Sequence, residues 1–363
     1  MARKLESDRI LFGAVVVLVL FGALMVYSAS AVMAAERYGS SYYFVVRQVI
    51  WAAAGLVLMV AMMNFDYRRL QSPTIVFPVV GLQLVLLVGA LFSGKSHNVH
   101  RWIHLGWFSF EPSEFSKLAL VLFLAYFLSL RRDDVNDFAH TLLPVGMIAG
   151  LTVGMILKQP DLGTSLAIMF VAASMLFVAG LRLSYFALAL GVMIPAFYFM
   201  VYRVPYQWKR IEAYLDPNKD PMGIGFQALQ AKIAVATGGL TGVGLMEGKE
   251  KLFYLPEPHN DFIFAVIGEE LGLVGALAVV AMFAIILWRG LRTASRCQDP
   301  FGRLLAVGLT TMLVGQALVN MSVVLSLLPT KGIPLPLVSY GGSSLLMDLV
   351  AVGVLLNISQ HAT

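Results

Sequence analysis

The chain has 363 residues, 59% hydrophobic and only 13% charged. Soluble domains carry about 25% charged residues, so the composition excludes a soluble globular protein and predicts an all-α polytopic membrane protein. The net charge of +5 is spread over many short loops with no basic stripe, which excludes nucleic acid, and the single cysteine, Cys297, excludes an intramolecular disulfide.

A span needs about 20 apolar residues at 1.5 Å each. Ten windows qualify: 10–33, 44–63, 74–92, 115–130, 140–157, 162–180, 183–203, 262–288, 303–326 and 343–358. The first follows a short charged lead and is too long for a cleavable signal, so it reads as a span. With a cytoplasmic N-terminus, Arg3, Lys4, Arg9, Arg68, Arg69, Arg131, Arg132, Arg182, Arg289, Arg292, Arg296 and Arg303 all fall inside. Short outer loops hold only Arg37, Lys95, Arg101, Lys158 and Lys331. The positive-inside rule therefore places both termini in the cytoplasm. It leaves one large outer loop, 204–261, between spans seven and eight, in a single membrane domain covering 1–363.

Taken in order, span two buries Arg47 and Gln48, which calls for a cavity or a partner. The loop 93–113 carries His97, His100 and His104 without the carboxylate spacing of a site, so interfacial packing is expected. Glu114 and Lys117 follow at i,i+3, on one face of span four. Between spans five and six, Pro160 ends a helix and Asp161 is placed to cap the next. The large loop opens with Tyr202, Arg203, Tyr206, Lys209 and Arg210, turns through DPNKDPMGIG, and runs into FQALQAKIAVA. That pattern suits a helix at the interface or packed back on the bundle. Glycines at 238, 239, 242, 244 and 248 precede Lys249 and Lys251; as a phosphate motif they lack the P-loop pattern, although Arg210, Lys249 and Lys251 are candidate diphosphate ligands.

The segment LPEPHNDFIFAVIGEELGLVG, 255–275, crosses from polar loop into apolar helix. It sets Glu257, His259 and Asp261 within five residues. In an extended segment they would share one side and could hold a divalent metal. Asp261 is equally placed to cap span eight. Glu269 and Glu270 lie two turns into that span, so at least one must meet a cavity or a partner. The last irregular stretch, PTKGIPLPLVSYGGSS at 329–344, cannot be a regular helix and is expected to pack into the outer mouth.

EPSEFSK at 111–117, Pro-Asp-Leu-Gly-Thr at 160–164, LPEPHNDFIFAVIGEELG at 255–272 and PTKGIPLPLVSYGGSS at 329–344 resemble, in order, the motifs of the SEDS family (shape, elongation, division and sporulation), the FtsW/RodA/SpoVE proteins. The last motif and DPNKDPMGIGFQ look more like the division branch than the elongation branch. The resemblance implies a peptidoglycan glycosyltransferase of the bacterial cytoplasmic membrane, acting at the division septum. It implies lipid II and the nascent glycan strand as ligands, with a class B penicillin-binding protein and other divisome membrane proteins as partners. The family's essential aspartate maps onto Asp261, its Glu and Lys of Pro-Ser-Glu-Phe-x-Lys onto Glu114 and Lys117, and its Asp before Leu-Gly-Thr onto Asp161. Asn260 stands where the family usually has Thr, and Glu250 where a neutral polar residue is commoner.

On this reading Asp261 accepts the proton of a sugar hydroxyl as the glycosidic bond forms. Glu114 is either a second site carboxylate, as proton relay or metal ligand, or half of a structural pair; Glu257 and His259 are supporting groups, and Lys117 pairs with Asp161 to hold spans four to six. A divalent cation, Mg or Mn, held by Asp261 and Glu114 would steady the leaving diphosphate; no organic cofactor is implied. The rivals are a lipid II flippase, for which no inverted repeat is visible, and a non-catalytic divisome scaffold.

Overall fold

The computed structural model describes residues 7–93, 101–106, 108–203, 208, 211–212, 214–215, 224–252, 255, 257–329 and 332–362. Its helices are α1 (Arg9–Tyr38), α2 (Tyr43–Met63), α3 (Pro73–Phe92), α4 (Pro112–Leu130), α5 (Leu143–Lys158), α6 (Leu162–Ala179), α7 (Leu183–Arg203), α8 (Ile224–Gly238), α9 (Ile263–Arg296), α10 (Pro300–Val324) and α11 (Gly342–His361). Among the described residues nine are long and apolar enough to span a membrane; α7 adds a shorter apolar stretch, Leu183–Pro195. Each of the ten expected windows falls on one of these ten helices. The eleventh, α8, is the FQALQAKIAVA segment, packed against α9. A two-stranded hairpin, β1 (Ile103–Leu105) with β2 (Phe108–Phe110), was not expected.

Sequence signals set the helix starts. Asp8 accepts from the amides of Ile10 and Leu11, Asp161 from Thr164 and Asp299 from Gly302, each satisfying first-turn donors that have no partner within the helix. Prolines open α3, α4 and α10, where a missing N–H costs nothing. Asp8 also pairs with Arg289 near the end of α9 at 2.5 Å, and its amide donates to Ser359 near the end of α11. The beginning of α1 and the end of α11 therefore lie at one face, as an even number of crossings requires.

Helices α4, α10 and α11 form the interior, with 72%, 83% and 72% of their apolar windows buried, against 22–44% for the other spans. The outer helices turn side chains such as Leu20, Val57, Val85 and Val274 outward, as hydrocarbon-facing helices do.

Helix α9 is broken at Gly272, whose φ of 64° and ψ of −161° are non-helical. The break frees the carbonyls of Glu269 and Glu270 and the amides of Leu273 and Val274. The glycine-rich loop after α8 satisfies all four. Val243 and Gly244 donate to the carbonyls, at 3.0 and 3.1 Å, while Gly239 and Leu240 accept from the amides, at 2.9 and 3.2 Å. Close approach requires glycine on both sides: a Cβ at Gly272 would lie 2.4 Å from the Gly242 nitrogen. Non-helical backbone at this depth persists because it is paired within the protein. Residues 263–271 are thus a separate half-helix beneath the loop, which corrects the expectation of one continuous span from 262.

Candidate active site

The segment 258–261 is a turn, and Glu257 before it has a positive φ of 50°. That geometry overturns the extended arrangement in which Glu257, His259 and Asp261 shared one side. Among the described residues no three His, Cys, Asp or Glu side chains gather within reach of one metal ion. His259 is buried between Phe44 and Tyr340, with ring centroids at 4.4 and 5.5 Å, and its Nε2 lies 3.7 Å from Glu257. Burial, aided by the Arg37 charge, pushes its pKa down to about 4, so the imidazole is neutral.

The irregular 332–340 segment packs on this turn. The Tyr340 amide donates to the His259 carbonyl at 2.9 Å and the Ser339 hydroxyl to the Asn260 carbonyl at 2.7 Å. Asn320 of α10 donates to the carbonyls of both Asp261 and Ile333, at 2.8 and 2.7 Å, stitching turn and loop together. Gln48 of α2 holds the Ser339 carbonyl, which answers what a polar residue does inside span two. The Asp261 side chain is half-buried against Gly332: a Cβ there would lie 2.8 Å from Oδ2.

Next to Gly332, Ile333 forms part of the wall of a cavity of about 450 Å³ between α4, α6 and α10. Leu166, Phe170 and Val319 are among its apolar lining, and Lys117, Gln316 and Thr311 are its polar side chains among the described residues. Asp261 is not itself a wall residue; its carboxylate sits against Gly332, the sequence neighbour of the wall residue Ile333.

Lys117 does not pair with Asp161. Its ammonium lies 2.8 Å from Glu114 one turn earlier on α4, donates to Gln316, and faces Asp348 of α11. Asp161 is turned to its own helix: its carboxylate accepts from the Thr164 amide and hydroxyl, and it stands 3.9 Å from Arg101. The i,i+3 spacing on α4 made the local pair available, while capping consumed Asp161. The buried ion pair was foreseen, and its acid was the wrong one.

Lys251 is likewise committed. It is buried, 2.5 Å from Glu270 and 3.1 Å from the Ser28 hydroxyl, which removes it from the candidate diphosphate ligands. Glu270 also accepts from the Met246 amide, and Glu269 from the amides of Lys249 and Glu250. Both glutamates anchor the glycine-rich loop. Lys249 is exposed at that loop's surface; Arg210, His97 and His100 lie outside the described residues. His104 is exposed on β1 and bonds Ser109 across the hairpin.

Sequence reasoning missed Gln316, Asn320, Ser339 and Asp348. Gln316 and Asn320 were findable, since two buried amides four apart on one apolar helix mark a face turned toward something polar.

The family profile of FtsW/RodA/SpoVE, described as cell cycle protein, matches residues 8–363. "Probable peptidoglycan glycosyltransferase FtsW" of Geobacter sulfurreducens is 46% identical over 358 residues, covering 98% of this chain and 95% of that one. Stage V sporulation protein E of Bacillus subtilis is 41% identical over 361 residues, covering 99% of each. Among solved structures, a chain of a peptidoglycan synthase complex that coordinates polymerization and crosslinking superposes with a TM-score of 0.81 at 31% identity, covering 98% of both. RodA of Thermus thermophilus gives 0.73 at 28% identity, over 99% of this chain and 98% of that one.

Proposed function

Since this chain belongs to the FtsW/RodA/SpoVE family, we propose that it is a peptidoglycan glycosyltransferase polymerising lipid II into glycan strands for the division septum. It works in the bacterial cytoplasmic membrane, both termini inside, beside a class B penicillin-binding protein and other divisome membrane proteins. The observation that carries the reading is the seating of the Asp261 carboxylate against Gly332, one residue from the wall of an apolar cavity.

A sugar hydroxyl is a weak nucleophile at neutral pH. Asp261 accepts its proton as the oxygen bonds to the anomeric carbon of a second lipid-linked sugar, and the bond from that carbon to the diphosphate oxygen breaks. The diphosphate leaves on its prenyl chain. The first isoprene units lie in the apolar cavity. Lys117 at its polar edge meets the diphosphate, with exposed Lys249, and Arg210 from the large loop, as further cations. The turn's fixed carbonyls keep the carboxylate in place before substrate arrives, which is how preorganisation lowers a barrier.

A divalent cation does not find a ready-made cage here. Glu114 is spent on Lys117, and no third carboxylate or imidazole joins Asp261 among the described residues. Any Mg or Mn bound there would take most of its ligands from diphosphate and water, and no step above depends on it.

The test is polymerisation of purified lipid II by wild type and Asp261→Asn, with and without the partner and a chelator. Chains from wild type and none from the Asn variant support the reading. Chains at the wild-type rate from the Asn variant, or lipid II movement across liposomes with no chains from wild type, overturn it.

A further inference from the structure

A polymerase must hold its growing product as well as its incoming donor, and the Asp261 turn has a second neighbour quite unlike the apolar cavity. The His259 ring packs on Phe44, which meets Tyr38 edge-on at 5.6 Å. Tyr38 lies flat on Tyr43, centroids 3.9 Å apart and planes within 3°. The Arg47 guanidinium covers the Tyr43 ring at 4.4 Å and lies beside Tyr340, whose amide holds the His259 carbonyl. The rings therefore form a continuous path from the Asp261 turn to the surface between α1 and α2. There Tyr38 is 51% exposed, and Arg37 beside it is exposed too. At the inner end His259 is 2% exposed, and its Nδ1 has no hydrogen-bond partner.

Tyrosines at a membrane surface commonly serve as interfacial anchors. An anchor needs neither a stacked pair, nor an arginine covering it, nor ring contact with a catalytic turn. A pyranose, by contrast, has an apolar face of C–H groups that packs flat on an aromatic ring, and the peptides borne by the strand carry carboxylates that an exposed guanidinium attracts. We propose that the elongating saccharide strand lies on this face, a sugar ring on Tyr38 and an anionic group at Arg37. This rests on the glycosyltransferase reading and adds a product-side subsite to it.

The test uses full-length protein with its partner in proteoliposomes, purified lipid II, and a lipid-free glycan oligomer as competing acceptor. Arg37 is exposed and Tyr38 half-exposed, so the Tyr38→Leu/Arg37→Gln double variant should insert as wild type does, its melting temperature lowered only by the lost stack on Tyr43. It should make chains several-fold shorter, and its half-saturating oligomer concentration should rise about tenfold, the scale of one lost ring contact and one lost charge contact. Consumption of lipid II at saturation should stay within about twofold, and Tyr38→Phe should behave as wild type. Unchanged chain length and oligomer affinity overturn the proposal. So does a loss of synthesis that merely tracks the amount of protein inserted, which is the anchor behaviour. An active Asp261→Asn variant would instead remove the glycosyltransferase reading on which the subsite depends.

Discussion

Two buried lysine–glutamate pairs sit among the described residues of this membrane domain, and they differ in everything except their chemistry. Lys251 and Glu270 are closed in by protein: the lysine by the Ser28 hydroxyl, the glutamate by the Met246 amide and that same hydroxyl. Lys117 and Glu114 are as deeply buried, yet the lysine forms part of the wall of the apolar cavity and has Gln316 and Asp348 around it. The first pair pins a loop to a broken helix. The second presents a cation to a space large enough for a ligand. Burial and charge type do not separate the two roles; what lies on the far side of the ammonium does.

Asp261→Asn sharpens that contrast most. Removing a general base typically costs about 10²–10⁴ in rate, and the amide keeps the size of the side chain, so polymerisation should fall by that much with melting temperature unchanged. Glu270→Gln should do the reverse, lowering melting temperature while the folded fraction keeps its specific activity. Equal losses of turnover in both would erase the distinction between working and anchoring carboxylates.

The lysines come next. Stranding one member of a buried pair costs about 3–5 kcal/mol, so Lys251→Met and Lys117→Met should both destabilise. The paired replacements Lys251→Met/Glu270→Leu and Lys117→Met/Glu114→Leu remove the stranded charge and should recover much of that loss. Only the first should also recover glycan synthesis. Full synthesis by the second would return Lys117 to a purely structural role.

His259 supplies a pH-dependent effect of smaller size. Burial, with Arg37 nearby, depresses its pKa to about 4, against about 6.5 in the unfolded chain. The folded state then binds fewer protons between those values, so stability is complete above pH 6.5 and declines as pH falls toward 4. The shift corresponds to about 3 kcal/mol. His259→Phe, whose ring suits the niche between Phe44 and Tyr340, should flatten the dependence of melting temperature on pH across that window. An unchanged slope would mean that other groups cause it.

How much of this could be read beforehand depends on the range of the interaction involved. Spans, caps and proline starts are local, and the windows place each helix start within three residues, although the window on α9 ends eight residues early. Asp161 at the start of α6 and Pro300 opening α10 follow from the nearest four residues. The Gly272 break was not legible, because its cause is a loop thirty residues earlier that supplies Gly242 and four hydrogen bonds. The Lys117 partner was missed because two acids were plausible and only packing shows which of them reaches the ammonium, although the cap at Asp161 was already in view. The three-residue set Glu257, His259 and Asp261 failed for a related reason. A period of two presumes an extended chain, and the 332–340 segment folds that chain into a turn.

The smallest effect comes from Gly332. This residue carries no charge, but it touches the Asp261 carboxylate and precedes Ile333 of the cavity wall. An added methyl would lie 2.8 Å from Oδ2, closer than real contacts allow, so Gly332→Ala must shift the acid by a few tenths of an ångström. Misplacing a reacting group by about 1 Å can cost 10²-fold; a smaller displacement should cost about tenfold in turnover. Lipid II affinity should hold, since Lys117 and the apolar wall are untouched, and melting temperature should fall little because the side chain is half-exposed. Turnover measured against lipid II concentration separates the outcomes. A loss confined to the maximal rate places the acid at the reacting atoms, and a loss confined to half-saturation assigns it to binding, which would dissolve the difference in role drawn between Asp261 and Lys117.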